Sequence, residues 1–444
     1  MPEHGNHSAH SAAISVYQNS GGANTNWSEF EQQKKAFGRP TILHGDKCGV
    51  ASDFWNRYEE DIALTKGLNS TCFRFSIEWG RIEPQRGQVD RAAVQRYHQI
   101  FDCLDRHQLE PVVTLYHFVH PSWFEALGGF TKEDSIALFV AYAETVFREF
   151  GSRARLWVTF NEPGVQAFCQ YIYGVFPPAK IANFATAGRH YMHMLRAHTA
   201  TYNAIKSLPG GSAAQVGLVH NFMRYEAAGA KSFSGYYVGP LCKWLEHFWG
   251  TQITVQYFKT GKFTWACPMG PTLSYQEPSI PGIDFVGLNY YGRVLINWKF
   301  EPVGQPGELM TDMPFPLYAP GLYEGIAAMS ALGVPVYITE TGVADSQGDR
   351  RQAFLDTYIP QVERAVRDGF DVRGFMYWTV VDNFEWDHGY HIKFGLYEWN
   401  PDGSQARSET ASARQLRQIY SGWPARIAAI HGEAREARAA VPAV

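Results

Sequence analysis

The sequence predicts a single-domain α/β fold, a (β/α)8 TIM barrel. Three observations carry that prediction. Short β-branched or aromatic runs recur at 13–18, 72–77, 111–118, 156–161, 216–221, 284–291, 335–339 and 374–381. Several are almost continuously apolar, as parallel strands buried on both faces are. Longer helical patterns lie between them, and alternating strands and helices build a parallel sheet with the helices outside. An open doubly wound sheet shares this alternation, but no GxGxxG or GxxxxGK[ST] phosphate loop follows any of the runs.

The helical stretches show their apolar stripes directly. Stretch 91–107 places Val94, Tyr97, Ile100, Phe101 and Leu104 on one face, and 135–150 does the same with Leu138, Tyr142, Val146 and Phe147. Stretch 350–368 carries Phe354, Tyr358, Ile359, Val362 and Val366. The 444 residues suit one barrel, because barrels with insertions exceed about 400 residues. The expected organisation is a polar, His/Ser-rich tail at 1–12, the barrel domain at 13–423, and an Ala/Arg-rich tail at 424–444. That last tail reads as a solvated helix or an association surface.

Composition excludes several classes. Hydrophobic residues are 45% and charged residues 18%, the balance of a chain with a large core. Lys and Arg total 39 against 43 Asp and Glu, a net charge of -4 with no basic stripe, so an electrostatic nucleic-acid binder is not expected. No apolar run approaches the roughly 20 residues of a membrane span. Six cysteines are scattered without a CxxC pair, which argues against a zinc knuckle or a disulfide framework. Free thiols in a reducing compartment and a start without the layout of a secretory signal make the expected location cytoplasmic. Aromatics reach 15%, a level suited to stacking flat ligands such as sugar rings.

In a barrel, the chemistry sits where strands end. The polar residues at or just beyond the ends of the runs are Gln18, Arg74, His117, Asn161, Glu162, Asn289, Tyr291, Glu340 and the segment 382–386. Two carboxylates stand out: Glu162 closes the fourth run and Glu340 the seventh, so both point towards one pocket. Paired carboxylates about 5–5.5 Å apart serve retaining glycoside hydrolysis, and pairs roughly 6.5–9.5 Å apart serve inversion. The sequence alone leaves both open. His190, His193 and His198 share one helical stretch, but their spacings do not match a metal-binding helix and are read as structural. Glu78 is read as the partner of a nearby arginine.

These segments resemble glycoside hydrolase family 1, the β-glucosidase family, over about 14–423. Thr-Phe-Asn-Glu-Pro at 159–163 is similar to the family's acid/base motif, and Ile-Thr-Glu-Thr-Gly at 338–342 to its nucleophile motif. Phe-Arg-Phe-Ser-Ile at 73–77, Leu-Asn-Tyr-Tyr at 288–291, and Trp378 with Asp-Asn-Phe-Glu-Trp at 382–386 match further family segments. The resemblance implies that Glu340 is the nucleophile, ionised with the help of Arg74 and Tyr291. It implies that Glu162 is the general acid and then the base, its pKa raised by Glu340 and burial. Asn161 would serve the sugar 2-hydroxyl. Gln18, His117, Asn289, Glu385 and Trp386 would bind the sugar, with Trp378 stacked beneath the ring and Phe394 closing the outer wall. No metal and no cofactor is implied.

The chain departs from the family pattern at Thr341, Phe118 and Asn19-Ser20-Gly21. Gly164 and Phe315 stand where tryptophans are common, and both changes are expected to alter or widen the leaving-group side. The expected activity is a retaining β-glycosidase acting on small, unphosphorylated β-D-glycosides, glucosides first, with galactosides and fucosides as further substrates. An anionic Glu385 is expected to repel a 6-phosphate. The alternative is a transglycosylase that passes the sugar to a sugar or lipid acceptor. The segment 218–224 faintly resembles the galactolipid galactosyltransferase branch. A non-enzymatic sugar-binding relative is a third reading, disfavoured because such a protein needs neither glutamate.

Overall fold

The apolar runs close into one all-parallel barrel in the computed structural model, which describes residues 9–439 apart from 23, 230–232, 269 and 402. Its strands are β1 (Ala9–Ala13), β2 (Cys72–Ser76), β3 (Glu110–Thr114), β4 (Leu156–Asn161), β5 (Gln215–Asn221), β6 (Phe285–Asn289), β7 (Val336–Thr341) and β8 (Val372–Trp378). Each pairs with its neighbours in chain order. Ala13 lies opposite both Arg74 and Trp378, which closes the ring at the rim carrying the polar residues. Helices pack outside, including α1 (Phe54–Gly67), α2 (Arg91–Arg106), α3 (Ser135–Phe150), α4 (Phe184–Ser207), α5 (Phe233–Trp249), α6 (Thr251–Thr260), α7 (Pro320–Ser330), α8 (Arg351–Arg367) and α9 (Ala411–Ala439).

The stripes read from the sequence face the barrel. Val94, Tyr97, Ile100, Phe101 and Leu104 of α2 are buried, and the Asp90 carboxylate caps the helix by accepting from the amides of Ala92 and Ala93. On α3 the stripe is shifted: Phe139 is buried and Leu138 only half-buried. All five stripe residues of α8 are buried.

Both ends of the chain differ from the sequence reading. The first strand is 9–13, not 13–18, and its residues fall largely within the stretch read as a polar tail. Its His10 and Ser11 satisfy themselves against the neighbouring segment. The His10 ring meets the Asn69 carbonyl at 3.0 Å, and the Ser11 hydroxyl donates to the carbonyls of Ala12 and Cys72. Polar residues with partners can be buried, so the hydropathy signal failed there. The stretch 16–20 is instead a short helix, Val16–Ser20, which carries Gln18. At the other end, α9 runs through Pro424, and Ile427 and Ile430 are buried against the core. Packing therefore continues past residue 424.

Register irregularities fall on the two strands that lead to the glutamates. β4 shifts against β5 between Val158 and Asn161, and β7 shifts against β6 between Ile338 and Glu340. Bulges re-aim side chains, and here they sit beside the two glutamates. A separate three-stranded sheet, formed by Arg224–Ala227, Arg293–Ile296 and Pro302–Val303, stands beside the rim next to α5.

Candidate active site

A cavity of about 470 Å³ opens at the C-terminal end of the barrel, within the roughly 300–1,000 Å³ range of small-molecule sites. Glu162 and Glu340 both line it, together with His117, Asn161, Tyr291, Trp378, Glu385, Trp386 and Phe394. Arg74, Gln18 and Asn289 stand behind this wall and touch the residues that form it.

Glu340 ends β7 with two donors on its carboxylate. The fully buried Arg74 guanidinium bonds one oxygen, and the Tyr291 hydroxyl donates to the other at 2.7 Å. Burial and the nearby Glu340 and Glu162 charges hold the Tyr291 phenol well above its usual range, so it remains a donor. Gly342 allows the close approach of β7 to β8: a Cβ there would lie 2.1 Å from the Trp378 carbonyl.

Glu162 occupies the turn between β4 and the short helix Pro163–Phe168, at φ 49°, ψ 57°. A left-handed conformation costs a non-glycine residue roughly 1–2 kcal/mol. The Glu162 amide donates to the Val219 carbonyl at 2.9 Å, and Pro163 starts the helix where a missing N–H does no harm. Burial, and then the negative Glu340, push the Glu162 carboxyl up to about 8. At neutral pH it is largely protonated, as a general acid must be.

The position of that proton follows from its neighbours. The Asn289 amide donates to Oε1 of Glu162 at 2.6 Å, and the Asn221 amide donates to the same oxygen at 3.0 Å. The Asn221 orientation is fixed because its carbonyl oxygen accepts from the Trp249 indole at 3.1 Å. Two donors on Oε1 leave Oε2 to carry the acidic hydrogen. The sequence reading missed Asn221, although it ends the fifth strand and meets the strand-end criterion. Both amides favour the carboxylate. Asn221→Ala is therefore expected to move the alkaline limb of kcat/KM to higher pH. Turnover of a poor leaving group should fall roughly tenfold, the scale of one hydrogen bond to a charged group. A pH profile with an unmoved limb would contradict this.

Asn161 and Asn289 join the two carboxylates into one network. Arg74 donates to Oδ1 of Asn161 at 2.8 Å, and the Asn289 amide meets the same oxygen at 3.1 Å. The Thr339 hydroxyl donates to Asn289 at 2.7 Å. With its amide and carbonyl engaged, Asn289 positions Glu162 and Asn161 from outside the cavity wall. The Asn161 amide is 3.3 Å from Nε2 of His117, which makes that nitrogen the acceptor. Burial, then Arg74, hold the His117 pKa well below its ordinary value. The ring is neutral, and Nδ1, which has no hydrogen-bond partner among the described residues, carries the hydrogen.

On the opposite wall, Gln18 donates to Glu385 at 3.1 Å while its buried side-chain oxygen has no partner among the described residues. The His117 ring stacks on Trp378 with centroids 5.8 Å apart, and Phe394 stands edge-on to Tyr291 at 5.6 Å. Burial pushes the Glu385 carboxyl up to about 8. Its neutral form is therefore favoured at pH 7, in contrast to the fixed anion expected from the sequence. No Lys or Arg lines the cavity among the described residues.

Two other sequence readings change. Gly164 does not widen the leaving-group side: a Cβ there would lie 2.4 Å from the Trp249 carbonyl, so this glycine lets the helix after β4 pack on the end of α5. Glu78 is buried and accepts from the Ser76 hydroxyl at 2.8 Å; the nearby Arg81 charge favours its ionised form, but the two make no ion pair. His193 meets the Phe130 carbonyl, and His198 lies between Thr159 and the Gly282 carbonyl.

The model of glycosyl hydrolase family 1 matches residues 2–422. This chain belongs to that family. It is 28% identical over 387 residues to the 1,4-beta-D-glucan glucohydrolase of Thermotoga neapolitana, covering 80% of this chain and 88% of that protein. It is also 28% identical over 450 residues to the beta-galactosidase of Pyrococcus woesei, covering 85% and 87%. Among solved structures, the beta-glycosidase from Pyrococcus horikoshii superposes with a TM-score of 0.79 at 29% identity, covering 95% of this chain and 94% of that one. The beta-glucosidase from Thermotoga maritima in complex with deoxynojirimycin gives 0.80 at 26% identity, covering 95% and 98%. A family-1 chain is an O-glycosyl hydrolase of the β-glucosidase type working with retention at the anomeric carbon, and the TIM barrel is the fold it shares with these structures. The transferase alternative gains no support from relatives named as glucosidases and a galactosidase. No described helix is long and apolar enough to cross a membrane.

Proposed function

We propose that Glu340 is the nucleophile and Glu162 the acid/base residue of a retaining β-glycosidase acting on small β-D-glycosides, glucosides first. The observation that carries this reading is the contrast between the two carboxyls in one cavity. Glu340 is bonded by a permanent cation and a phenol, while Glu162 is pushed up to about 8 and receives only neutral amides. In the first step Glu340 attacks the anomeric carbon as Oε2 of Glu162 protonates the departing oxygen. Once Glu340 is esterified its charge is gone, so the Glu162 pKa falls and the carboxylate takes a proton from water. Gln18, His117, Glu385 and Trp386 would hold the sugar hydroxyls, Trp378 the ring face, and Phe394 the outer wall. Complexes of the Thermotoga maritima relative with deoxynojirimycin and cyclophellitol support a sugar-shaped ligand here. Six free thiols, four of them buried, fit a reducing, cytoplasmic setting.

A panel of 4-nitrophenyl glycosides tests the reading. Release from the β-D-glucoside is expected, with the β-D-galactoside and β-D-fucoside as slower substrates. Silence across all β-glycosides would overturn it. The rate should fall as pH rises through about 8, because the acid form of Glu162 is lost there. Glu385 is also pushed up to about 8, so Glu385→Gln separates the two. The limb should persist in that variant while KM rises; a limb that disappears would assign it to Glu385 instead.

A further inference from the structure

We propose that the gallery leading away from the two carboxylates receives the unbranched aliphatic aglycone of an alkyl β-D-glucoside in preference to a second sugar. The inference rests on the glycosidase reading above and deepens it. Beyond Glu162 the cavity wall is mostly apolar: Phe168, Met223, Leu245 and Met313 line it, with Tyr173 and Tyr225 among them. A second sugar would bring several hydroxyls onto this wall, and each one left without a partner is costly to desolvate. The polar groups nearest the general acid are already spent. Asn221 gives its amide to Glu162 and its carbonyl to the Trp249 indole, whose only hydrogen is used in that contact. Asp387 and His388 lie on the segment that carries Trp386 and are 3.5 Å from each other.

An aliphatic chain loses nothing on this wall and gains from burial. The two methionines are flexible and polarisable, and they fit a ligand of no fixed shape. The apolar surface also continues outward. Phe300 lines the cavity yet is 58% exposed, and the Tyr237 ring meets it with centroids 6.1 Å apart. The Tyr237 hydroxyl donates to the main chain of Trp298, itself 59% exposed. Exposed aromatics contiguous with a cavity mouth mark a surface made for an apolar ligand. Here they extend the gallery along the three-stranded sheet, whose Ile296 and Pro302 also line the cavity.

The test takes the full-length protein and a series of n-alkyl β-D-glucosides from methyl to octyl, each below its critical micelle concentration. Cellobiose and 4-nitrophenyl β-D-glucoside run alongside. Glucose release, read as kcat/KM, should rise along the series by up to about fourfold per methylene, the transfer value of a buried CH2. Octyl glucoside should exceed cellobiose by roughly tenfold or more on the same basis. Phe300→Ser should lower the octyl-to-methyl ratio several-fold, and Trp298→Ser should lower it less. A flat series, cellobiose above octyl glucoside, or a ratio unchanged by Phe300→Ser overturns the proposal while the nitrophenyl glucoside is still split. If the nitrophenyl glucoside is not split either, the glycosidase reading itself has failed.

Discussion

Glu340→Gln is expected to lower kcat for 4-nitrophenyl β-D-glucoside by on the order of 10⁴–10⁶, the scale lost when a covalent nucleophile is removed. The amide is a poor nucleophile but keeps the shape of the side chain and still accepts from Arg74. Folding should therefore survive, and the melting temperature should stay near that of the parent protein. Glu340→Ala is a different experiment. Arg74 is fully buried, and Glu340 is the carboxylate that bonds it; its other partners are the Asn161 side-chain oxygen, the Thr339 carbonyl and the Thr114 hydroxyl. Removing that carboxylate strands the cation, and breaking a buried pair costs roughly 3–5 kcal/mol. The alanine variant should then be inactive and also melt at a distinctly lower temperature. Nitrophenol release together with thermal melting separates the two effects. A glutamine variant within about tenfold of parental turnover would show that Glu340 does not form the bond to sugar.

The strand ends were readable in the sequence because each follows an apolar run, and seven of the eight runs lie on barrel strands. The exception, β1, is built from Ala, His and Ser, whose burial depends on partners 50 or more residues away: Thr71 and Asn69 for His10, Cys72 for Ser11. Nothing local announces those partners. The two glutamates were legible for the same reason as the strands, and the resemblance already implied a raised Glu162 pKa; the amides that bond Glu162 were not legible. Those amides, from Asn221 on β5 and Asn289 on β6, oppose the rise by favouring the carboxylate. Gly164 shows the opposite failure. A missing side chain suggested space, whereas the Trp249 main chain fills that position. Glu385 was read as charged because a carboxylate is charged in water; its burial, invisible in one dimension, makes the neutral form competitive.

Glu162→Ala should divide its effect by leaving group. For an alkyl or sugar aglycone, whose oxygen must be protonated to depart, the first step should slow by about 10²–10⁴, the span of general acid catalysis. For 2,4-dinitrophenyl β-D-glucoside the leaving group needs no proton, so this step should proceed at close to the parental rate. The second step loses its base, so the glucosyl ester on Glu340 should accumulate as a burst followed by slow turnover. Azide needs no base and fits the space vacated by the carboxyl. Added azide should restore steady-state turnover and give β-glucosyl azide, because it attacks from the face that the leaving group left. Anomeric configuration of the azide, read by proton NMR, decides the matter: an α-product would mean that the sugar was never bonded to Glu340. The neighbours make the variant a clean probe. Asn221 remains anchored by Trp249, and Asn289 by Thr339 and Asn161, so the amides that faced the carboxyl stay in place when it is removed.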